Sequence, residues 1–253
     1  MTARLADMTT VEAAQAVRDS PVVILPAGAF EQHGPGLPLA TDLVRAEAVA
    51  ELVADALGGT AVIGPTLPVG VSPHHLAFAG TVSLSTTTFA ALVREYVTCL
   101  ADHGWHKILV ITGHGGNTAA LGTVGQDLLA THPHVQFAHT PITVLAADVV
   151  AHMAKGEVHG HSGEAETAQM LAIAPHLVQT DQLTPGTVHQ HELDGLGALS
   201  LRSGPPTLPV RYDRLSPNGV LGDPRRATAE DGHAIVDAAV RRIVEFVKEW
   251  AAI

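Results

Sequence analysis

Cys99 is the only cysteine in 253 residues. A lone thiol excludes an intrachain disulfide and matches the residue usage of a reducing compartment. Its place inside a helical pattern reads as core. Positive charge is also scarce, with 14 Lys and Arg against 25 Asp and Glu and a formal net charge of -11. Such a chain is poorly suited to neutralise nucleic-acid phosphates or to hold an anionic membrane surface. Small molecules or short peptides are the expected partners. No apolar run is long enough to span a bilayer, and the N-terminal MTARLADMTTVEAAQAVRDS lacks the features of a secretory signal. A cytoplasmic location is therefore expected. Ser/Gly linkers, long charge runs and internal repeats are missing too, which leaves one domain over residues 1–253 as the expectation.

Apolar residues make up 46% of the chain and charged ones 15%, ample material for a buried core. PVVILPAG at 21–28 is too short for a buried helix and is bounded by proline and glycine, so it reads as a strand. From Asp42 to Leu57 the residues Leu43, Ala46, Ala50, Val53 and Leu57 recur at intervals of three and four, the signature of one apolar helical face. Further strands are expected at 61–67, Lys107–Thr112 and Val135–Val144, and further helices at Thr86–His103 and Thr118–Thr131. This alternation predicts an α/β fold, three-layer α/β/α, around a mostly parallel sheet. Residues 180–223 are rich in Pro and Gly and read as an irregular excursion near the site or a subunit contact, and an amphipathic helix from Ala227 to Trp250 closes the domain.

Sixteen histidines are more than such a chain usually carries, and position separates ligands from surface residues such as His132 and His134. In GAFEQHGPGLPLATD at 28–42, Glu31 and His33 lie two apart in an irregular stretch and point to the same side. Asp42 enters at the first turn of the next helix, where it serves either as an N-cap or as a carboxylate bridging two ions. His114 leaves the KILVIT strand into GHGGN, a placement suited to a metal ligand. The same glycines admit a phosphate nest, but the P-loop lysine and hydroxyl and the dinucleotide spacing are missing. In HGHSGEAETAQML, His161 precedes a helix whose first turns carry Glu164 and Glu166. Those two acids equally suit a helix start that complements the macrodipole.

EQHGPGLPLATD, GHGGN and HSGEAET stand in the order and spacing of the creatininase-like amidohydrolases, and the chain resembles that family over nearly its whole length. HHLAFAGT at 74–81 is similar to a further segment of the family. The resemblance implies two divalent ions, zinc or manganese with iron acceptable, and hydrolysis of a C–N amide bond without a covalent enzyme intermediate. It implies that Glu31 and His114 bind one ion, that His33 and a carboxylate bind the other, and that Asp42 bridges them. Creatininase carries a carboxylate two residues after its GHGGN-type histidine, where this chain has Gly116. The missing ligand must come from elsewhere, with Glu166 the first choice and Glu164 the alternative. His161 is implied as the residue that passes a proton to the leaving nitrogen, with Glu164 second. His75 and Asn117 are expected to contact substrate or orient the ligands, although His75 equally fits a satisfied buried histidine.

The glycine-rich version also resembles relatives that include a formamidopyrimidine deformylase and the mycofactocin-maturation type, the latter also through SPNGVLGDPRRATAEDG at 216–232. Creatinine itself is thereby in doubt as substrate. A homo-oligomer, a hexamer or other multiple of a dimer, is implied by resemblance. The competing readings are a non-catalytic metal-binding relative that kept the fold, and a nucleotide-binding α/β protein using GHGGN for phosphate.

Overall fold

The computed structural model describes residues 4–202 and 206–253; the first three residues, and residues 203–205 of the Pro/Gly-rich excursion, lie outside the described residues. Four strands, β1 (Val22–Ala27), β2 (Ala61–Ile63), β3 (Lys107–Thr112) and β4 (Gln136–Pro141), pair in parallel in the order β2-β1-β3-β4. Every residue of β1 is buried, as expected for a parallel strand covered on both faces. Val23, Leu25, Ile108 and Val110 point to one face, where they meet α1 (Thr10–Asp19), α3 (Thr86–Asp102) and α4 (Thr118–Thr131). Val22, Ile24, Leu109 and Ile111 point to the other, against α2 (Thr41–Leu57) and the C-terminal helix Ala229–Ala251. The three-layer α/β/α architecture with a parallel sheet is thus observed.

Beyond β4 the chain makes short helices α5 (Ile142–Leu145) and α6 (Ala147–Ala151), then α7 (Glu164–Ile173), α8 (Gly195–Ser200) and the long α9 (Ala229–Ala251). Thr228 caps α9 by accepting from the Asp231 N–H, and Ser85 caps α3 by accepting from that of Thr88. No helix among the described residues is long and apolar enough to cross a membrane.

Three expectations need correction, while the excursion at 180–223 lies near the site as expected. The strand expected over Val135–Val144 stops at Pro141, because the chain turns there into α5. The strand expected at 61–67 keeps its ladder only to Ile63; Gly64 and Pro65 follow, and Leu67 returns as an isolated bridge to Ala27. Cys99 is exposed rather than core, since the buried stripe of α3 runs through Phe89, Val93, Val97 and Leu100 and leaves position 99 outside. The excursion at 180–223 holds α8 and several 3-10 turns, and it packs over the carboxyl end of the sheet.

The strand order sets where a site can form. From β1 the chain crosses through α2 to β2 on one side, then through α3 to β3 on the other. The crevice beyond the carboxyl ends of β1 and β3 is therefore the topological switch point, where open α/β sheets bind ligands. Glu31 and His33 follow β1, and His114 follows β3. Gly113 lets α2 settle onto this crevice: a Cβ there would stand 2.1 Å from the Asp42 carbonyl oxygen.

Candidate metal centre

Glu31, His33 and Asp42 are buried to 0%, 1% and 1% exposure, and His114 to 5%. Such groups are costly to desolvate unless something compensates them. Asp42 stands second in α2, where Ala40 occupies the N-cap position and no side chain caps the helix. Its two oxygens face different histidines: Oδ1 lies 3.5 Å from His33 Nε2, and Oδ2 lies 3.2 Å from His114 Nδ1. Glu31 Oε1 is 3.3 Å from His114 Nδ1, and Glu166 Oε2 is 3.6 Å from His33 Nε2. Thus Glu31, His33, Asp42, His114, His161 and Glu166, expected from scattered motifs, converge on one place.

Hydrogen bonds fix how each ring presents itself. A carbonyl can only accept, so His33 donates Nδ1–H to Glu31 O at 3.1 Å, His114 donates Nε2–H to Val71 O at 3.0 Å, and His161 donates Nε2–H to Gln32 O at 2.7 Å. Each ring therefore turns its other nitrogen inward, which in the neutral ring is the lone pair that a ligand or base requires. His75 is arranged the opposite way. Gly34 N–H donates to Gln32 Oε1 at 2.8 Å, which orients that amide. Gln32 Nε2 then donates to Gly219 O at 3.1 Å and to His75 Nδ1 at 2.9 Å. With Nδ1 accepting, His75 carries its proton on Nε2, 3.4 Å from Glu31 Oε1.

Among the described residues, seven buried side-chain polar atoms lack a hydrogen-bond partner, and five of them belong to Glu31, His33, Asp42 and His75. Such concentration of unpaired groups calls for an explanation. Three triads, Glu31/His33/Asp42, His33/His161/Glu166 and Glu31/His74/His114, each bring ligand atoms within 4.8 Å of one another, as does Glu31/His75/His161. A mixed imidazole and carboxylate set of this kind suits a divalent transition metal, and the unpaired atoms are the ones a cation would satisfy.

Electrostatics agree. Burial lowers the basicity of His33, but Asp42, followed by Glu166 and Glu31, outweighs it and raises the pKa to about 9. His114 is likewise held well above its usual value by Asp42 and Glu31 against burial. Asp42 is held well below the carboxylate range, because His33 and His114 overcome its burial. The metal-free carboxylates thus attract protons in the place where a cation would bind. Burial, with His33 adding to it, lowers His161, and burial brings His74 down to about 4.

Several contributors carried no motif. Arg45 is fully buried and donates to Glu166 Oε1 at 2.8 Å, Asp42 Oδ1 at 3.2 Å, Thr143 Oγ1 at 2.7 Å and Gln169 Oε1 at 3.1 Å. Against the cost of burial, its guanidinium leads the charges that hold the Glu166 carboxyl below its usual range. The only sequence signal for Arg45 is that it is the one basic residue of α2, three after Asp42. Ser162, with φ of 54°, is the one non-glycine residue in the left-handed region among those described. It donates Oγ–H to His33 O at 2.6 Å and N–H to Glu166 Oε2 at 2.7 Å, so local strain joins two motifs 129 residues apart. Tyr212, from the irregular excursion, packs on His75 and His161 with ring centroids 4.1 and 5.1 Å away.

Two expected residues fall elsewhere. Asn117 is fully buried and stands outside the cavity lining, with Nδ2 donating to Gly28 O and Thr112 Oγ1 and Oδ1 accepting from Val71 N–H. Its amide clamps the ends of β1 and β3 and so orients the scaffold that carries the site. Glu164 joins none of the four triads; Oε1 accepts from the N–H groups of Gly156 and Asp223 at 3.1 Å each. Its Oε2 lacks a partner, and the residue lines a cavity of about 370 Å³ beside His114, His161 and Glu166. Val144, Val150 and Met153 supply an apolar wall to the same cavity, with Lys155 beside them.

This combination of switch-point crevice, converging imidazoles and carboxylates, and adjoining cavity defines a candidate metal centre, and comparison with known proteins specifies which class of protein carries it. The creatininase family model, described as creatinine amidohydrolase, matches residues 6–247. A mycofactocin precursor peptide peptidase of Mycolicibacterium smegmatis is 34% identical over 235 residues, spanning 91% of this chain and 85% of the relative. A creatinine amidohydrolase of Pseudomonas putida is 27% identical, spanning 90% and 89%. The solved structure of a manganese creatininase superposes with a TM-score of 0.80 at 25% identity, covering 98% of both chains. The chain belongs to the creatininase family.

Proposed function

We propose that the protein is a dinuclear amidohydrolase that cleaves a C–N bond in a short peptide or small amide. One observation carries the reading: the two oxygens of Asp42 face two different histidines, His33 and His114, at 3.5 and 3.2 Å, amid unpartnered buried carboxylate and imidazole atoms. In this reading Glu31 and His114 would hold one ion and His33 and Glu166 the other, with Asp42 available to both. Zinc and manganese are the ions that suit the donor set. A divalent pair, when bound, polarises the amide carbonyl and makes water a nucleophile near neutral pH.

The side chains supply the rest. His161 keeps Nε2–H on the Gln32 carbonyl, so Nδ1, 3.6 Å from Glu31 Oε1 and 3.8 Å from Glu166 Oε2, is its free base. It accepts a proton from the attacking water and returns it to the leaving nitrogen. Glu164, through the unpartnered Oε2, is the second proton carrier. His75 Nε2–H is a donor for the substrate carbonyl oxygen as negative charge develops there. Tyr212 keeps its hydroxyl proton, since burial and then the nearby carboxylates raise its pKa.

The cavity of about 370 Å³ is of small-ligand size, and its apolar wall with one lysine suits the end of a peptide better than a small polar ring. A precursor peptide, like that in the printed name of the Mycolicibacterium relative, is accordingly the favoured substrate class. The full chain acting as one unit, a homo-oligomeric assembly and a cytoplasmic setting belong to the same proposal. Metal content of purified protein and of Asp42→Ala tests it. About two ions per wild-type chain, both lost in the variant, support it. No metal after reconstitution refutes it.

A further inference from the structure

His74 stands beside the cluster without an assignment. Its ligand atom lies within 4.8 Å of those of Glu31 and His114, and the residue lines the same cavity. Its ring is nearly parallel to that of His114, at 7° with centroids 5.5 Å apart. The other four histidines here each commit one nitrogen, three to backbone carbonyls and His75 to Gln32. His74 makes no hydrogen bond with any described residue, so rotation of its ring can present either nitrogen.

We infer that His74 is a direct ligand of the ion held by Glu31 and His114, an inference that rests on the dinuclear reading above. Position 116, on the strand-to-helix turn after β3, cannot supply a further ligand in this backbone. A Cβ at Gly116 would lie 2.3 Å from His114 Nε2 and 2.5 Å from Val71 O. It would break the hydrogen bond that fixes the His114 tautomer. The 3-10 turn Pro73–His75 instead brings an imidazole beside Glu31 and His114. Its ligand atom, within 4.8 Å of those of Glu31 and His114, is near the roughly 3.4 Å spacing of donors on a tetrahedral zinc. A neutral imidazole there adds a nitrogen donor to the Glu31 and His114 pair without changing its charge, a donor type that suits zinc.

The test is a competitive titration of zinc and manganese into metal-free wild type, His74→Ala and His74→Glu, with a crystal structure of the zinc-loaded wild type. In His74→Ala one of two zinc sites should weaken by more than the roughly 10–100-fold typical of an outer-shell partner, while the second is unchanged. In His74→Glu both sites should persist, because a carboxylate can also ligate, with the balance shifted from zinc towards manganese. The crystal structure should place a His74 ring nitrogen about 2.1 Å from an ion. Unchanged zinc affinity in His74→Ala, or a ring nitrogen lying out of coordination range, overturns the assignment and leaves His74 as an aromatic neighbour of Tyr212. A wild type with fewer than two ions refutes the dinuclear reading instead, and the crystallographic distance still decides His74.

Discussion

Replacing Arg45 by methionine removes the one guanidinium that touches both Asp42 and Glu166. Arg45 is fully buried, and its terminal nitrogens lie 3.2 Å from Asp42 Oδ1 and 2.8 Å from Glu166 Oε1. Methionine fills similar volume, so the loss is electrostatic: two carboxylates stay in the interior with their nearest cation gone. Breaking a buried charge pair by removing one partner costs about 3–5 kcal/mol. In a chain of 253 residues each kcal/mol shifts the midpoint by roughly 2–4 °C, so the metal-free variant should melt roughly 10 °C lower. Zinc affinity should fall about 10–100-fold, as expected when a group that orients ligands is removed. Thermal melts with and without chelator give the first figure, and competitive zinc titration gives the second. Adding Glu166→Gln to Arg45→Met should recover part of the metal-free stability, because it removes a carboxylate the arginine had balanced. A variant within about 1 kcal/mol of wild type with unchanged zinc affinity would show that Arg45 merely fills space, and the electrostatic argument would be wrong.

Metal-free protein should also lose stability as pH rises. The folded pKa of His33, about 9 against an ordinary 6.5, means the folded state holds the proton more tightly. That contribution, of order 3 kcal/mol, is fully present below pH 6.5 and is lost as pH climbs through 9. Denaturant melts across this window should show the decline, and saturating zinc should abolish it by taking the proton's place; a flat metal-free profile contradicts the assignment. Gly113→Ala should force the first turn of α2 outward, since its Cβ would stand 2.1 Å from the Asp42 carbonyl oxygen. About 1–3 kcal/mol of stability should go with it, and bound metal should fall as Asp42 leaves its histidines. Unaltered metal content in a folded Gly113→Ala protein would mean that the close approach is not what positions the bridge.

The layers of the fold were legible because local pattern encodes them. β1 reads as an unbroken apolar run since both faces of a parallel strand are covered, and the stripes of α2, α3 and α9 recur at helical spacing. The motifs also exposed Glu31, His33, Asp42 and His114, because each follows a strand or opens a helix at the carboxyl edge of the sheet. Pattern misplaced Cys99 by treating every residue of an amphipathic helix as core, and it missed where β4 breaks into α5.

Tertiary structure alone decided how the site is wired. Which of Glu164 and Glu166 reaches the cluster depends on Ser162 N–H and Arg45, which hold Glu166, and on Gly156 and Asp223, which hold Glu164. No spacing in one segment contains that choice. The difference between His74 and His75, adjacent in sequence, comes from Gln32, whose amide is oriented by Gly34 and Gly219. Residue types and their order name the groups able to bind a metal. The proton on most of these rings, and the direction of Glu166, depend on hydrogen bonds between segments from about forty to more than a hundred residues apart, which exist only once the sheet and helices have packed.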